Sequence, residues 1–443
     1  NTARAAAAAA GRPGAMFPWQ SASDGRDVTP ARTYNPLAGH WLADTSHRQR
    51  HVGLAIGYTI VQYYRATADI GFLADMGGEL LVEICRFFSS LPAYDPDDDR
   101  FHIDGAMGPD EFHDGYPGRP GSGVRDNAYT NMLLAWLLHR TIDILQRIDG
   151  YDCGQLRRRL NVTPSEIDRW ELLSRRLAVP IHADGVISQF EGYENLPDLD
   201  WDAYRARYPN TGRLDLILNA EGDSTNNYRV SKQADVLMLF YLLSAEELRD
   251  VLARLGYPLS SEAVLATVDF YTRRTSHGST LSRVVHAWVN ARADRHRAWS
   301  IFTEALQSDL ADTQGGTTRE GVHLGAMAGT VDLILRCFAG LETRDDALCF
   351  HPVLPPEMSR VQFTVVYRGQ PVRVDLTPRL IRLRLRPCQA DPITVCIKDD
   401  RTVLRPGDVY EAKLPAPPTR TAATRTPATR PHGEGRDPGP GGS

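Results

Sequence analysis

Four short stretches of this sequence carry side chains able to do chemistry. The first is MGPDEFHD, residues 107–114. Gly108-Pro109 forces a turn, and Asp110 and Glu111 follow it in a loop. Adjacent side chains in extended backbone point different ways, so the two carboxyls need not share a task. One of them suits a general acid with a raised pKa. A helix cap with surface charge is the plainer alternative. His113 lacks the HExxH spacing, so these histidines do not make a metal site.

The second stretch is VSKQADVLMLF, residues 230–240. It puts Lys232 near the start of a mostly apolar helix, beside Gln233 and Asp235. Of the 50 basic residues only Lys232, Lys398 and Lys413 are lysines. Where arginine has replaced lysine so widely, a surviving lysine suggests a place where arginine does not serve. A compact ammonium suits an anion such as phosphate, and a solvated helix start is the alternative.

The third stretch, RTSHGSTLSRVVHAW at 274–288, sets Ser276, His277, Gly278, Ser279 and Thr280 before a helix expected to begin near Leu281. Hydroxyls and free N–H groups at a helix N-terminus make an anion site. A simple cap by Ser279 or Thr280 would leave the same pattern. In the fourth, TTREGVHLGAMAGT at 317–330, Glu320 and His323 open a small-residue helix. It reads either as close helix packing or as a ligand contact at the inner mouth of a helical barrel. No GxxxxGK[ST] or GxGxxG is present, so nucleotide binding has no support.

The elements that must position these residues are mostly helices. Apolar residues recur at helical spacing over 51–67, 69–88, 127–148, 164–177, 228–243, 245–255, 261–273, 281–293, 296–308 and 321–338. Many helices joined by loops rich in aromatics and acids suggest an α/α toroid or a helical array, without a fixed-period repeat. Residues 11–46 are turn-rich and read as an ordered loop. Its Trp19 and Trp41 either plug the core or wall a sugar pocket. From about residue 345 the pattern alternates apolar with polar, which predicts a small antiparallel β domain ending near Leu414. The Pro/Gly/Thr-rich tail, 415–443, is expected to be disordered.

Composition bounds the rest. With 443 residues the chain has room for two or three domains, and at 42% hydrophobic it has an ordinary globular balance. The net charge of −5 includes no basic block, which removes the electrostatic footprint of nucleic-acid binding. No run of 18 apolar residues occurs, so no membrane-spanning helix is expected. The six cysteines form no CxxC pair, and a reduced, cytoplasmic setting is the plain expectation. The sequence begins at Asn1 in an Ala-rich helical stretch, which reads as a frame entered partway through a helix; a fragment is expected.

Taken in order, GAMFPWQSASDGR, HVGLAIGYTIVQYY, GPDEFH with DNAYTN at 126–131, KQADV at 232–236, HGSTLS at 277–282 and EGVHLGAMAGT at 320–330 resemble glycoside hydrolase family 65. Maltose, trehalose and kojibiose phosphorylases are its best-known members. The resemblance implies a mainly α fold, an (α/α)6 barrel over 47–344, followed by the C-terminal β domain over 345–414. Residues 1–46 would be a loop and the remnant of an upstream barrel helix. It implies Glu111 as the general acid. It implies a phosphate site of Lys232, Gln233, Ser279 and Thr280, with His277 and His323 as further candidates. Substrate contacts would come from Trp19, Asp110, Asn127 and Glu320.

Several features depart from the family pattern. Its N-terminal sandwich, first barrel helices and Trp-Asp-x-Glu segment have no counterpart in this sequence. Gly25-Arg26-Asp27-Val28 stands where Gly-x-Glu is usual, and DGYPGRPGSG lengthens the loop after GPDEFH. Ser279-Thr280 replaces the usual Ser-Ser pair. The implied activity is inverting phosphorolysis of an α-glucoside, with a disaccharide and phosphate as partners, a homodimer as the candidate assembly, and no metal or organic cofactor. A hydrolase of the same family is the alternative, but it needs a base for water, and HGSTLS contains no Glu. A non-catalytic carbohydrate-binding module is a second alternative.

Overall fold

The computed structural model describes residues 1–291, 294–313, 317–344, 346–398 and 400–415. The expected disordered tail lies, from Ala416 on, outside the described residues.

Five helices pack side by side and run the same way: Val52–Thr67, Ala128–Asp152, Asp235–Leu242, Thr280–Asn290, and Leu324–Asp332 continued by the π-turn Leu333–Phe338. A second layer covers them: Ile70–Ser89, which carries a π-turn at Leu73–Gly77, then Pro164–Arg176, Ala245–Arg254, Ser261–Thr272 and Arg295–Leu306. This is the layout of an (α/α) barrel.

Local sequence sets the helix starts. Asn127, Thr163, Ser244, Ser260 and Asp294 each accept a backbone N–H of the first turn, and Pro164 follows Thr163 where its missing N–H costs nothing. The inner helix Ala128–Asp152 is buried on nearly every side, with Met132, Leu133, Trp136 and Leu137 at its centre. The small residues of the last inner helix serve close packing: a Cβ at Gly329 would lie 2.8 Å from a Val284 methyl. Among the described residues no helix is long and apolar enough to cross a membrane.

Three expectations are corrected. The helix expected over 228–243 begins only at Asp235, because residues 230–232 are held extended: Ser231 N–H donates to the Arg274 carbonyl, and Ser276 N–H donates back to Ser231. The loop of 11–46 contains a hairpin, Arg32–Asn35 with His40–Ala43, turned at the Pro-Leu-Ala-Gly between them. Two short helices, Trp201–Arg207 and Leu214–Ala220, lie in a stretch read as loop, since each is too short to show a period.

The C-terminal region holds two four-stranded sheets. In one, Val361–Tyr367, Gln370–Thr377, Leu380–Leu385 and Val409–Lys413 are antiparallel, with Val374 facing Leu383. The other begins at Leu341, ahead of the expected residue 345, and includes Ala347–Phe350, Ile393–Ile397 and Asp400–Leu404. It is not wholly antiparallel, because Ala347–Phe350 and Ile393–Ile397 pair in parallel. Alternation within one strand cannot reveal that, since it reports the buried face and not the partner's direction. One apolar cluster joins these sheets to the last inner helices, with Phe338, Phe350, Val374 and Leu383 buried together.

Candidate active site

The first residues of the inner helices gather at one end of the barrel, and the first three chemical stretches meet there, whereas the fourth touches the third through Gly325 beside Leu281. Their connections are mostly reciprocal. Asp110 N–H donates to Asp235 Oδ1 at 2.7 Å, while Asp110 Oδ1 accepts the Lys232 N–H at 2.9 Å. Gln233 Nε2 donates to the Pro109 carbonyl at 2.9 Å. Asn127 Nδ2 donates to Asp235 Oδ2 at 2.7 Å, and Gln189 Nε2 donates to Asp110 Oδ2 at 2.8 Å. Gly108 is required here, since a Cβ would sit 1.9 Å from Asp235 Oδ2. The turn before the two acids is thus clamped to the segment carrying Lys232.

The two adjacent carboxyls part company at a turn, where the Phe112 N–H donates to Asp110 Oδ1. Asp110 is 1% exposed and faces into the clamp. Burial pushes its carboxyl up to about 7, against the pull of the Gln189, Lys232 and Phe112 N–H donors. Burial also holds Asp235 well above the ordinary carboxylate range, reinforced by Asp110 beside it. Glu111 points the other way, its side chain 35% exposed, and accepts from Lys232 Nζ at 2.6 Å.

Lys232 joins this loop to the third stretch. A Cβ on Gly278 would lie 3.0 Å from Lys232 Cγ and 2.0 Å from the Gly212 carbonyl, so the lysine stem crosses the His277–Thr280 turn where glycine leaves room. His277 adopts a left-handed backbone, φ +57°, an unusual conformation for a non-glycine residue. Its Nδ1 lies 2.9 Å from Ser282 Oγ, and its ring meets that of His286 edge-on at 4.6 Å. Burial, then the charges of Arg283, Arg297 and Arg205, pushes His277 down to about 4. Burial and His277 hold His286 well below the usual histidine range. Ser279 caps the helix by accepting the Leu281 N–H, and Thr280 is its first residue.

The other predicted residues divide. Asn127 is buried and its side chain bonds to Asp235 and Thr130, so it caps a helix and clamps the loop. The oxygens of Asp110 likewise face protein donors. Gln233 gives its amide hydrogens to Pro109, leaving its Oε1 buried without a partner. His323 is held by Asp309, at 2.6 Å through Nδ1. Trp19 is half-buried with its ring 5.5 Å from His51, whereas Trp41 is 62% exposed and meets the Tyr34 ring at a tilt, 5.4 Å between centroids. Glu320 ends the turn Thr317–Glu320, and its side chain lies outside the described part.

Sequence reasoning missed Gln189, His51 and His286. His51 opens HVGLAIGYTIVQYY and His286 lies within the third stretch, but neither is singled out there, and Gln189 belongs to no motif; each is brought in by packing. The inner position of His286 on the Thr280–Asn290 helix was the one available signal. Asp95, Asp98 and His102 form the one group among the described residues with donor atoms close enough for a metal, all within 4.8 Å. Both His102 nitrogens already face carboxylates, Asp126 at 2.6 Å and Asp98 at 3.1 Å.

Comparison with known proteins bears on this geometry. Residues 1–332 match the model of the glycosyl hydrolase family 65 central catalytic domain, and residues 341–404 match that of the family's C-terminal domain. The chain is 50% identical over 409 residues to an uncharacterized glycosyl hydrolase of Mycobacterium tuberculosis, covering 92% of this chain and 31% of that protein. It is 37% identical over 399 residues to trehalose 6-phosphate phosphorylase of Lactococcus lactis, covering 90% of this chain and 50% of that one. Among solved structures, a putative kojibiose phosphorylase from the human microbiome superposes with a TM-score of 0.75 at 22% identity, over 95% of this chain and 56% of its own. The chain spans 31% of the length of one of these curated relatives and 50% of the other.

Proposed function

The chain belongs to glycosyl hydrolase family 65, and from that premise we propose that it carries the catalytic centre of an inverting α-glucoside phosphorylase. One observation carries the reading. Among the described residues the site pairs an outward-facing carboxyl, Glu111, with the ammonium of Lys232. Its neighbour Asp110 is buried and saturated with donors, so it is no base for water. Hydrolysis with inversion needs a second carboxylate to deprotonate water. Phosphate is already an anion and needs only position and charge neutralisation.

In this reading Glu111 gives its proton to the glycosidic oxygen. Phosphate sits against Lys232 and the N-terminus of the Thr280–Asn290 helix, with Ser279 and Thr280 as hydroxyl donors. It attacks the anomeric carbon from the opposite face, yielding β-glucose 1-phosphate and the released acceptor. The scheme calls for no metal or organic cofactor. Two relatives named as phosphorylases, of trehalose 6-phosphate and of kojibiose, support it. The test is sugar release with and without phosphate. Phosphate-dependent glucose 1-phosphate is expected; equal rates with free glucose would establish a hydrolase instead.

A further inference from the structure

We propose that Lys232 acts twice in each cycle, first holding Glu111 as a carboxylate and then surrendering it to protonation when phosphate arrives, so that binding the nucleophile loads the acid. The inference rests on the phosphorylase reading. Its starting point is the 2.6 Å contact between Lys232 Nζ and Glu111 Oε2. A general acid must carry its proton when the glycosidic bond breaks. A carboxylate this close to an ammonium is favoured in its charged form. In the ligand-free arrangement the proposed acid is therefore paired with the very group that the nucleophile needs.

No other charged side chain among the described residues pairs with either group. Asp110 and Asp235 face each other's segments inside the clamp. His113 is turned to the Tyr228 carbonyl, and His277 to Ser282. Arg283, one turn into the Thr280–Asn290 helix, is 3.5 Å from Glu304. The lysine stem passes against Gly278, two residues before the helix that starts at Thr280, so the ammonium paired with Glu111 is carried on a stem beside the turn where phosphate is proposed to sit. Phosphate seated there takes over the ammonium and puts a dianion beside Glu111, which reverses the sign of the field on that carboxyl.

The proton balance closes. H2PO4⁻ binding to the carboxylate form passes its proton to Glu111 and stays on Lys232 as HPO4²⁻; HPO4²⁻ binding draws one proton from solvent. When the glycosidic bond breaks, that proton goes to the leaving oxygen and a phosphate oxygen bonds to the anomeric carbon. Glu111, again a carboxylate, then displaces the sugar phosphate from Lys232.

Calorimetric titration with sulfate, a dianion that does not titrate near neutrality, tests this. Heats measured at pH 7 in two buffers of different ionisation enthalpy count protons taken up per sulfate bound. The expected uptake is a large fraction of one proton in the wild type and none in Glu111→Gln, which should bind sulfate at least about tenfold more tightly because Lys232 has no rival. Sulfate binding without proton uptake overturns the proposal and leaves phosphorolysis standing. Uptake that persists in Glu111→Gln also overturns it, assigning the proton to a histidine such as His277. If Glu111→Gln does not fold, Lys232→Met must lose sulfate binding and proton uptake together; uptake that survives sinks the idea. Sugar release independent of phosphate, measured on the same preparation, removes the phosphorylase reading itself.

Discussion

The two ends of the helical barrel treat their unpaired helix groups in opposite ways. At the far end from Glu111, the last turns of four inner helices surround a cavity of about 650 Å³ against the first strands of the sheet region. Carbonyls there are met by fixed donors: Tyr58 Oη to Leu242, Trp288 Nε1 to Phe240 and Arg336 Nη2 to Tyr241. The charges are matched as well, Arg65 with Glu247, Arg336 with Asp332 and Arg344 with Glu246. Cations at helix C-termini complement the dipole and the free carbonyls. At the Glu111 end, polar atoms stay buried without partners: Gln233 Oε1, both ring nitrogens of His286, and both amide atoms of Gln49. Leaving such groups unpaired costs stability. One end of the barrel is closed for stability, and the other keeps its hydrogen-bonding capacity open.

Substitutions test that contrast. The largest expected effect is from Glu111→Gln, which should slow glucose 1-phosphate release at least about 10³-fold, or about 4 kcal/mol of barrier, while thermal unfolding stays near that of the parent. Near-normal turnover would take Glu111 out of the chemistry and make the open end structural too. Lys232→Ala should weaken phosphate use by about 2–4 kcal/mol, with the KM for the glucoside little changed. Steady-state kinetics with each substrate varied checks it.

At the closed end, Arg336→Ala removes the bonds to Asp332 and Tyr241 and the stack on Trp288. It should cost about 1.5–3 kcal/mol in denaturant unfolding with kcat unchanged. A kcat change larger than the stability change would mean the two ends communicate.

Acid should separate the ends more gently. His51, His113 and His277 are held neutral by burial, each down to about 4, and burial holds His286 well below the usual histidine range too. The unfolded chain binds those protons first, so stability falls as pH drops from about 6.5 toward 4. Asp110 and Asp235, raised by burial, oppose this in part, since the folded form takes up their protons as pH falls. Four histidines against two carboxyls leaves a net loss at the Glu111 end, so Tm should fall by a few degrees between pH 7 and 5. Hydrogen exchange should show opening there first; equal protection at both ends would contradict it. The smallest effect belongs to Trp41→Ala, on an exposed hairpin clear of both ends, expected within about 0.5 kcal/mol by thermal unfolding.

How much of this was legible beforehand follows from the range of each interaction. Local sequence determined the long helices, because a 3.6-residue period repeats over several turns in 52–67 and 128–152. It marked the alternating strands of 361–385, and it showed Glu111 after its Gly-Pro turn and Lys232 as a rare lysine. Tertiary structure decided the rest. That Asp110 faces inward while Glu111 faces the site follows from Asp235 and Gln189, which lie 125 and 79 residues away in the chain. That Asn127 clamps a loop, that 228–234 stays out of the helix, and that Ala347–Phe350 pairs in parallel with Ile393–Ile397 depend likewise on distant partners. The meeting of Lys232 with Glu111 is of the same kind: residue type made each a candidate, and only packing across Gly278 made them a pair, because the energy of an ion contact depends on distance in space and not on separation along the chain.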